Sequence, residues 1–286
     1  MTDFEKRDYN ARMAVFDAAK YLVELGHKVV SVNLYGSQNY DCDTPTSDYD
    51  FKAIVIPTMD DVIFNRKPIS TDIEFNGGLI DIKDIRLMFD NYKKQKVNFV
   101  ETLFTRWYWA APDFVHEWES AREMADRVVF ADPAKSINCM IGMAKEKEHA
   151  LAQLYPSKVA IVEKYGFDPK QLMHILRLHN LMQRFVWKLE RDTIPTYGDL
   201  LIPDGDTIDY LMMIKTMTME TPITVEQAKA MAAEHIALME DIRDRFKNAH
   251  EDQWSFVDEA TYADFDAIRG AIMRKGFATE IFGGNW

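Results

Sequence analysis

The sequence predicts an α+β fold, in which a small mixed sheet with helices precedes a helical domain. Short apolar runs with the length and composition of β-strands occur only before about residue 133. Beyond that point, apolar residues recur at the spacing of helices, and prolines separate the segments. This change of pattern indicates two domains, residues 1–132 and residues 133–286.

The first domain begins with a predicted helix and two predicted strands. Apolar residues at helical spacing run from Phe4 to Val23, and Gly26 is expected to end the helix. The valine-rich run 28–35 has the composition of a buried strand. A polar loop follows, and the run 48–56 predicts a second strand.

A hairpin and a helix are predicted next. The runs 69–75 and 79–83 have the composition of strands, and Asn76-Gly77-Gly78 between them is a turn signal. Asp84 is expected to cap a helix that extends to about Lys94. The first domain should therefore contain a small mixed sheet.

The second domain is predicted to contain only helices, because its apolar residues recur three and four positions apart. The helical patterns cover residues 133–154, 169–191, 205–219, 224–248 and 258–275.

The charge and the cysteine content bear on partners and compartment. Asp and Glu outnumber Lys and Arg by 46 to 34, and the net charge of −12 disfavours long nucleic acids, which prefer a basic surface. Cys42 and Cys139 are too few for a disulfide framework and are expected to be reduced thiols. No apolar run approaches the roughly 20 residues that cross a bilayer. The sequence thus predicts a soluble, cytoplasmic protein with no membrane partner.

The segment from Leu34 to Val55 carries the clearest functional pattern. Gly36 and Ser37 close an apolar run, and their backbone N–H groups are suited to a phosphate. Asp48 and Asp50 follow, separated by one residue. Alternate residues of a strand point to one face, so these two carboxylates are expected to converge and to need a cation between them. The pattern predicts metal-dependent phosphate chemistry.

Gly36-Ser37 followed by Asp48-Tyr49-Asp50 resembles the polymerase-β-type nucleotidyltransferase superfamily. The longer string GSQNY to SDYDFKAIV, with DIKDIRLMF and NFVETLF after it, resembles a bacterial and phage branch of nucleotidyltransferase-domain proteins over about residues 30–190. The resemblance implies an NTP substrate and two Mg²⁺ ions, with Mn²⁺ as a substitute. It implies that both aspartates bind metal and that Gly36 and Ser37 hold the β- and γ-phosphates.

The resemblance also implies a third carboxylate on a neighbouring strand. In the run 79–83, Asp81 lies on the face opposite the isoleucines, and it is the predicted third catalytic and metal-binding residue. Asp72 and Glu74, across the hairpin, remain alternatives. Lys83 shares the face of Asp81 and is predicted to contact a phosphate of the nucleotide.

A second group of candidate residues lies in the helical domain. Lys170, His174 and Arg177 are four and three positions apart, so they share one face of a helix. Such a face suits a phosphate or a base edge, and it is predicted to bind the nucleotide. A solvated basic surface is the alternative. Lys145 and Lys147 are further candidates for the same site.

One residue departs from the pattern of the branch, which often has glycine after the GSQNY string. Asp41 stands there in this chain. A residue with a Cβ tolerates a positive φ less well than glycine does, and this one adds negative charge near the expected phosphates. The usual conformation of the loop is therefore in question.

The predicted function is transfer of a nucleoside monophosphate from an NTP to an acceptor hydroxyl, with release of pyrophosphate. The acceptor is an RNA 3′ end, a protein side chain or a small molecule. Three alternatives remain open: a catalytically silent, NTP-binding regulatory or antitoxin-like module, a structural protein in which the aspartate pair is incidental, and a hydrolytic enzyme that uses the same metals.

Overall fold

The computed structural model describes residues 2–156, 158–191 and 196–282. It confirms the α+β fold, with a five-stranded open sheet and a helical region. The chain forms two compact units. Unit 1 contains the described residues up to Asn39, Asp43–Ala131 and the described residues from Val257 onward. Unit 2 contains Tyr40–Cys42 and the described part of Asp132–Phe256.

Unit 1 contains all five strands of the described sheet and seven of the described α-helices. Its strands are β1 (Val29–Tyr35), β2 (Asp50–Val55), β3 (Ser70–Phe75), β4 (Gly78–Asp84) and β5 (Tyr108–Ala110). Its helices are α1 (Asp3–Glu24), α2 (Met59–Ile63), α3 (Ile85–Lys93), α4 (Val97–Val100), α5 (Val115–Glu123), α6 (Ala125–Phe130), α14 (Glu259–Phe282) and the 3₁₀ turns Ser37–Tyr40 and Glu101–Leu103. Tyr40, the last residue of the first turn, is grouped with unit 2.

The sheet has the strand order β3-β4-β2-β1-β5. Strands β2 and β4 are parallel, and the other neighbouring pairs are antiparallel. The hairpin between β3 and β4 is confirmed. Its two turn residues, Asn76 and Gly77, have φ of 49° and 86°, the left-handed conformation that a two-residue hairpin turn requires. Asp84 caps α3 by accepting a hydrogen bond from the N–H of Arg86, as predicted.

Helix α1 covers one face of the sheet and buries its apolar stripe there. The other face is apolar near Ile54 and packs against α3, α5, α6 and α14. In this second core, the ring centroids of Phe89 and Phe265 are 4.5 Å apart. Helix α14 thus belongs to the core of unit 1, although its sequence follows the whole of unit 2. The buried residues between α1 and the sheet include Ala11, Val15, Ala18, Leu22, Val32, Leu34, Phe51, Ala53, Ile80, Ile82 and Trp107.

Unit 2 is helical throughout its described residues. Helix α9 is its centre: it contacts α7, α10, α11 and α12, and a long series of its residues is buried. The helices of this unit are α7 (Pro133–Ala150), α8 (Val159–Tyr165), α9 (Pro169–Arg191), α10 (Tyr197–Leu201), α11 (Gly205–Thr216), α12 (Val225–Ala249) and α13 (Glu251–Ser255).

Two strands of unit 1 differ from the prediction, and the helices α2, α4, α5 and α6 were not predicted. The second strand begins at Asp50 rather than at Asp48, so the prediction for its first two residues is wrong. Strand β5 was not predicted, because three residues at a sheet edge carry no readable alternation. In the described part of the chain, every helix is too short or too polar to traverse a lipid bilayer.

Candidate functional site

The face of the sheet that is apolar at Ile54 becomes polar toward the start of β2. Asp50 and Lys52 share this face with Ile54, because alternate residues of a strand point the same way. In the parallel β2–β4 pair, Lys52 is in register with Asp81, so Asp81 and Lys83 extend the polar surface onto the next strand. We call Asp50, Lys52, Asp81 and Lys83 the polar end of the sheet.

The Gly36-Ser37 turn lies beside this polar end. Tyr35, the last residue of β1, is in register with Asp50, and Gly36 follows it directly. Gly36 has a φ of 93°, which glycine adopts without strain, and Ser37 begins a 3₁₀ turn. The N–H of Gly36 donates to the carboxylate of Glu101 over 3.2 Å. The structure thus brings Gly36, Ser37 and Asp50 to one end of the sheet.

Asp48 and Asp50 are not related by strand alternation. Asp48 is exposed and precedes β2, and its backbone carbonyl accepts a 2.7 Å hydrogen bond from the Gln38 side chain. Asp50 is half-buried, and its Oδ1 accepts a 3.2 Å hydrogen bond from the N–H of Leu79. One oxygen of Asp50 therefore fastens β2 to the beginning of β4.

Asp81 lies between two lysine ammonium groups. Its Oδ2 is 2.6 Å from Nζ of Lys52, and its Oδ1 is 2.5 Å from Nζ of Lys83. Burial acts to raise the pKa of Asp81, but the two positive charges outweigh it and hold the pKa below its usual value. Lys83 also donates to the hydroxyl of Ser70 over 2.8 Å. Asp81 is therefore an ionised carboxylate with both oxygens occupied.

Lys52 is a buried cation that the sequence reasoning missed. Its side chain is 3% exposed, and Nζ lies 4.1 Å from the ring centroid of Tyr35 and 4.3 Å from that of Phe99. Aromatic faces attract an ammonium group, and Asp81 supplies the counter-charge. The only signal in the sequence is a lysine inside the apolar strand FKAIV.

Glu101 is the second residue that the sequence reasoning missed. It is 2% exposed, and its carboxylate holds Gly36. Burial and the negative charges of Asp50, Asp81, Glu101 and Asp72 raise the pKa of Tyr35 far above its ordinary value, so the phenol keeps its proton. The signal for Glu101 is a single acidic residue within the apolar string NFVETLF.

The alternatives for the third carboxylate are more exposed than Asp81. Asp72 is exposed and in register with Asp81 across the hairpin. Glu74 is exposed and in register with Leu79. Of the three, Asp81 is the one that bonds to the neighbouring strand β2, through Lys52.

In unit 2, the predicted trio lies on α9. The guanidinium of Arg177 is 3.9 Å from the ring centroid of Tyr40, and the ring of His174 meets the same ring edge-on at 6.3 Å. The backbone N–H of Lys170 donates to Oδ1 of Asp168 over 3.0 Å. Of the two further candidates on α7, Lys145 forms a 2.6 Å ion pair with an acidic residue of α12, and Lys147 forms a 3.3 Å pair with its neighbour Glu146.

Asp41 has a φ of 54°, so it adopts the left-handed conformation that a glycine would favour at this position. Aspartate is among the residues that tolerate this region best. The chain thus keeps a glycine-like backbone at this point of the loop despite the Cβ.

The donor chemistry of the site can be compared with the predicted Mg²⁺ ions. Asp48 and Asp50 supply the carboxylate oxygens that Mg²⁺ prefers. Asp81 fits a metal less well in this conformation, because each of its oxygens already contacts an ammonium group. Within residues 2–156, 158–191 and 196–282, no three His, Cys, Asp or Glu side chains are grouped so that they could hold a metal ion.

The chain was compared with protein-family models and with curated proteins. No protein-family model matches the chain, and no curated protein matches it.

Proposed function

We propose that the protein is a metal-dependent nucleotidyltransferase that moves a nucleoside monophosphate from an NTP to an acceptor hydroxyl and releases pyrophosphate. The observation that carries the proposal is the register of β1 with β2. It joins the Gly36-Ser37 turn to Asp50 through Tyr35, so a glycine-serine turn with backbone N–H groups and a carboxylate meet at the same end of one sheet.

The residues of unit 1 have distinct parts in this proposal. Asp48 and Asp50 are the residues that would hold Mg²⁺ or Mn²⁺, with Asp81 as the third carboxylate once it exchanges a lysine contact for a metal. Bound divalent cations would neutralise the triphosphate and make the acceptor hydroxyl more acidic. Ser37 offers its hydroxyl and backbone to the phosphates.

Gly36 and Lys83 act on the same phosphates in this proposal, and each must first change a partner. The N–H of Gly36 is held by Glu101, and the ammonium group of Lys83 is held by Asp81 and Ser70. A triphosphate presents several strong acceptor oxygens, which can replace a carboxylate as the partner of either donor. Glu101 thus keeps the N–H of the turn satisfied until the nucleotide binds.

The deciding experiment measures pyrophosphate release from each of the four NTPs with Mg²⁺ or Mn²⁺, in the presence of short RNA, protein or small-molecule acceptors. The Asp48→Asn/Asp50→Asn double variant is expected to lose at least about a hundredfold in rate, because metal ligation would be lost. Asp60→Asn, at an exposed position of α2 in the same unit, is the matched control and should retain the rate.

Two results would contradict the proposal. One is release by the double variant at the rate of the unmodified chain. The other is the absence of release with every NTP and every acceptor class. A labelled product from an active chain would identify the acceptor.

A second candidate function is an NTP-binding module without turnover. It is favoured by the contacts of Asp81, since a carboxylate held by both Lys52 and Lys83 is not available to a metal in this conformation. Metal-dependent NTP binding without pyrophosphate release would support this candidate over the transferase.

A further inference from the structure

Arg177 is a buried cation without a matching anion. The residue is 4% exposed, yet Nε and Nη1 of its guanidinium have no hydrogen-bond partner, and none of the described carboxylates forms an ion pair with it. Burying a charge is unfavourable unless it is paired and hydrogen-bonded. The Tyr40 ring at 3.9 Å gives the guanidinium a stacking partner but does not use its N–H groups.

Further positive charges surround the same place in unit 2. Lys170, His174 and Arg177 lie one turn apart on α9, and Lys147 and Lys215 lie on α7 and α11, two of the helices that pack against α9. Burial and the positive charge of Arg177 and these lysines hold the pKa of His174 well below its usual value, so the imidazole is neutral at pH 7. Lys215 on α11 donates to the backbone carbonyl of Cys42 over 2.5 Å.

The position of Lys215 brings a third helix into the group. Its bond to Cys42 brings the ammonium group beside the segment that carries Tyr40. The cations therefore come from three helices, α7, α9 and α11. They lie around the segment that carries Tyr40 and do not form one exposed helix face. This arrangement differs from the solvated basic surface that was the alternative for α9.

We propose that unit 2 contains a binding site for a di- or triphosphate chain, formed by Arg177, Lys170, Lys147 and Lys215 around Tyr40 and His174. Two adjacent guanidinium N–H groups match two phosphate oxygens, and lysines add point charges along the chain. A single carboxylate carries one negative charge, whereas a phosphate chain carries several and balances four cations. The inference goes beyond the proposed function, because this site in unit 2 shares no residue with the phosphate-binding residues proposed in unit 1.

The test is calorimetric titration of the full chain with inorganic tripolyphosphate, pyrophosphate and orthophosphate in EDTA. Tripolyphosphate is expected to bind, and Arg177→Gln is expected to weaken the binding at least tenfold. Arg177→Lys should bind more tightly than Arg177→Gln but less tightly than the unmodified protein, since lysine keeps the positive charge without the two adjacent guanidinium N–H groups. Lys229→Gln is the matched control, because Lys229 is exposed on α12 of the same unit and is not one of the proposed ligands.

A second measurement, thermal unfolding, distinguishes a loss of binding from a loss of folding. Removing an unpaired buried charge should stabilise the empty protein, so Arg177→Met is expected to raise the thermal unfolding midpoint without anion. Tripolyphosphate should raise the midpoint of the unmodified chain more than it raises that of Arg177→Met. A variant that unfolds at a lower temperature without anion would overturn the assignment of Arg177 as an unpaired cation.

The titrations also distinguish the sources of the phosphate chain. Equal affinity for ATP and tripolyphosphate would mean that the site recognises the phosphate chain alone. At least tenfold tighter binding of ATP would mean that the site also recognises the nucleoside. Equal affinity for orthophosphate would overturn the di- or triphosphate assignment. So would the absence of tripolyphosphate binding, or an equal loss in Lys229→Gln.

The failure of this inference can be separated from the failure of the proposed function. The Asp48→Asn/Asp50→Asn variant should bind tripolyphosphate as the unmodified chain does. Tripolyphosphate binding without any NTP turnover would refute only the transferase. Turnover without tripolyphosphate binding would refute only the site in unit 2.

Discussion

Lys52 keeps its ammonium group inside unit 1 and depends on Asp81 for its counter-charge. Asp81→Asn should therefore lower the free energy of unfolding by about 3 kcal/mol, because a buried lysine is left without an anion. Urea denaturation at pH 7 measures the change. Asp72→Asn, at the exposed position in register with Asp81, is the control and should change the free energy of unfolding little.

Equal stability of the Asp81→Asn and Asp72→Asn proteins would contradict the buried ion pair. The expected instability also affects how activity is tested. A loss of turnover in Asp81→Asn would mix folding with catalysis, whereas Asp48 is exposed and its substitution leaves the lysine pair intact.

The residues of the candidate site were partly predictable. Gly36, Ser37 and Asp50 lie together because the turn after β1 and the start of β2 are at the same end of the sheet. The order of these segments in the sequence was enough to predict this. The partners of Asp81 could not be predicted, since alternation assigns a face but not a neighbour. Predicting the contact of Lys52 with Asp81 requires knowledge of the parallel register of β2 with β4. Predicting the contact of Glu101 with Gly36 requires the tertiary fold, which brings the two residues together.

Among the elements, the β3–β4 hairpin depends on a close approach at Gly78. A Cβ at this position would lie 2.1 Å from the carbonyl oxygen of Tyr49, which is backbone and cannot move aside cheaply. Gly78→Ala should therefore destabilise unit 1 by about 2 kcal/mol. Thermal unfolding followed by circular dichroism measures the effect.

Gly142→Ala is the matched control for this substitution. Gly142 is exposed in α7, and a Cβ there would meet no atom within 4 Å. Alanine is the better helix former, so the control should be stabilised by about 0.5–1 kcal/mol. A Gly78→Ala protein as stable as this control would contradict the tight packing of β2 against β4.

Most elements of the fold were predictable where their periodicity is long or their turn chemistry is specific. The Asn76-Gly77 turn determines the β3–β4 hairpin, and the stripe along α9 marks its buried face. The start of β2 was misjudged, because Asp48 belongs to the preceding loop and composition does not mark where pairing begins.

For the molecule as a whole, acid should act on the two units at different pH. His174, His179 and His235 all lie in unit 2, and burial is the largest cause that lowers the pKa of each. For His179 the pKa falls to about 4. An unfolded histidine binds a proton below about pH 6.5, whereas these folded ones resist it, so stability falls as the pH drops below 6.5.

Unit 1 should respond only in stronger acid. The lysines lower the pKa of Asp81 against the effect of burial, so its stabilising contribution begins to be lost only as the pH falls below the ordinary value of 3.8. Hydrogen exchange at pH 5.5 compared with pH 7.5, corrected for the intrinsic rate, should therefore show loss of protection in α9 and retained protection in α1. Equal loss of protection in both helices would contradict this assignment.

Helix α14 has a consequence for how the chain is made. It completes the core of unit 1 through Phe265, yet the ribosome synthesises it only after every residue of unit 2. Until then, the apolar surface around Phe89 in the nascent chain lacks the cover that α14 provides, and an emerging unit of this kind is exposed to aggregation. The core of unit 1 therefore cannot be completed until α14 has been synthesised.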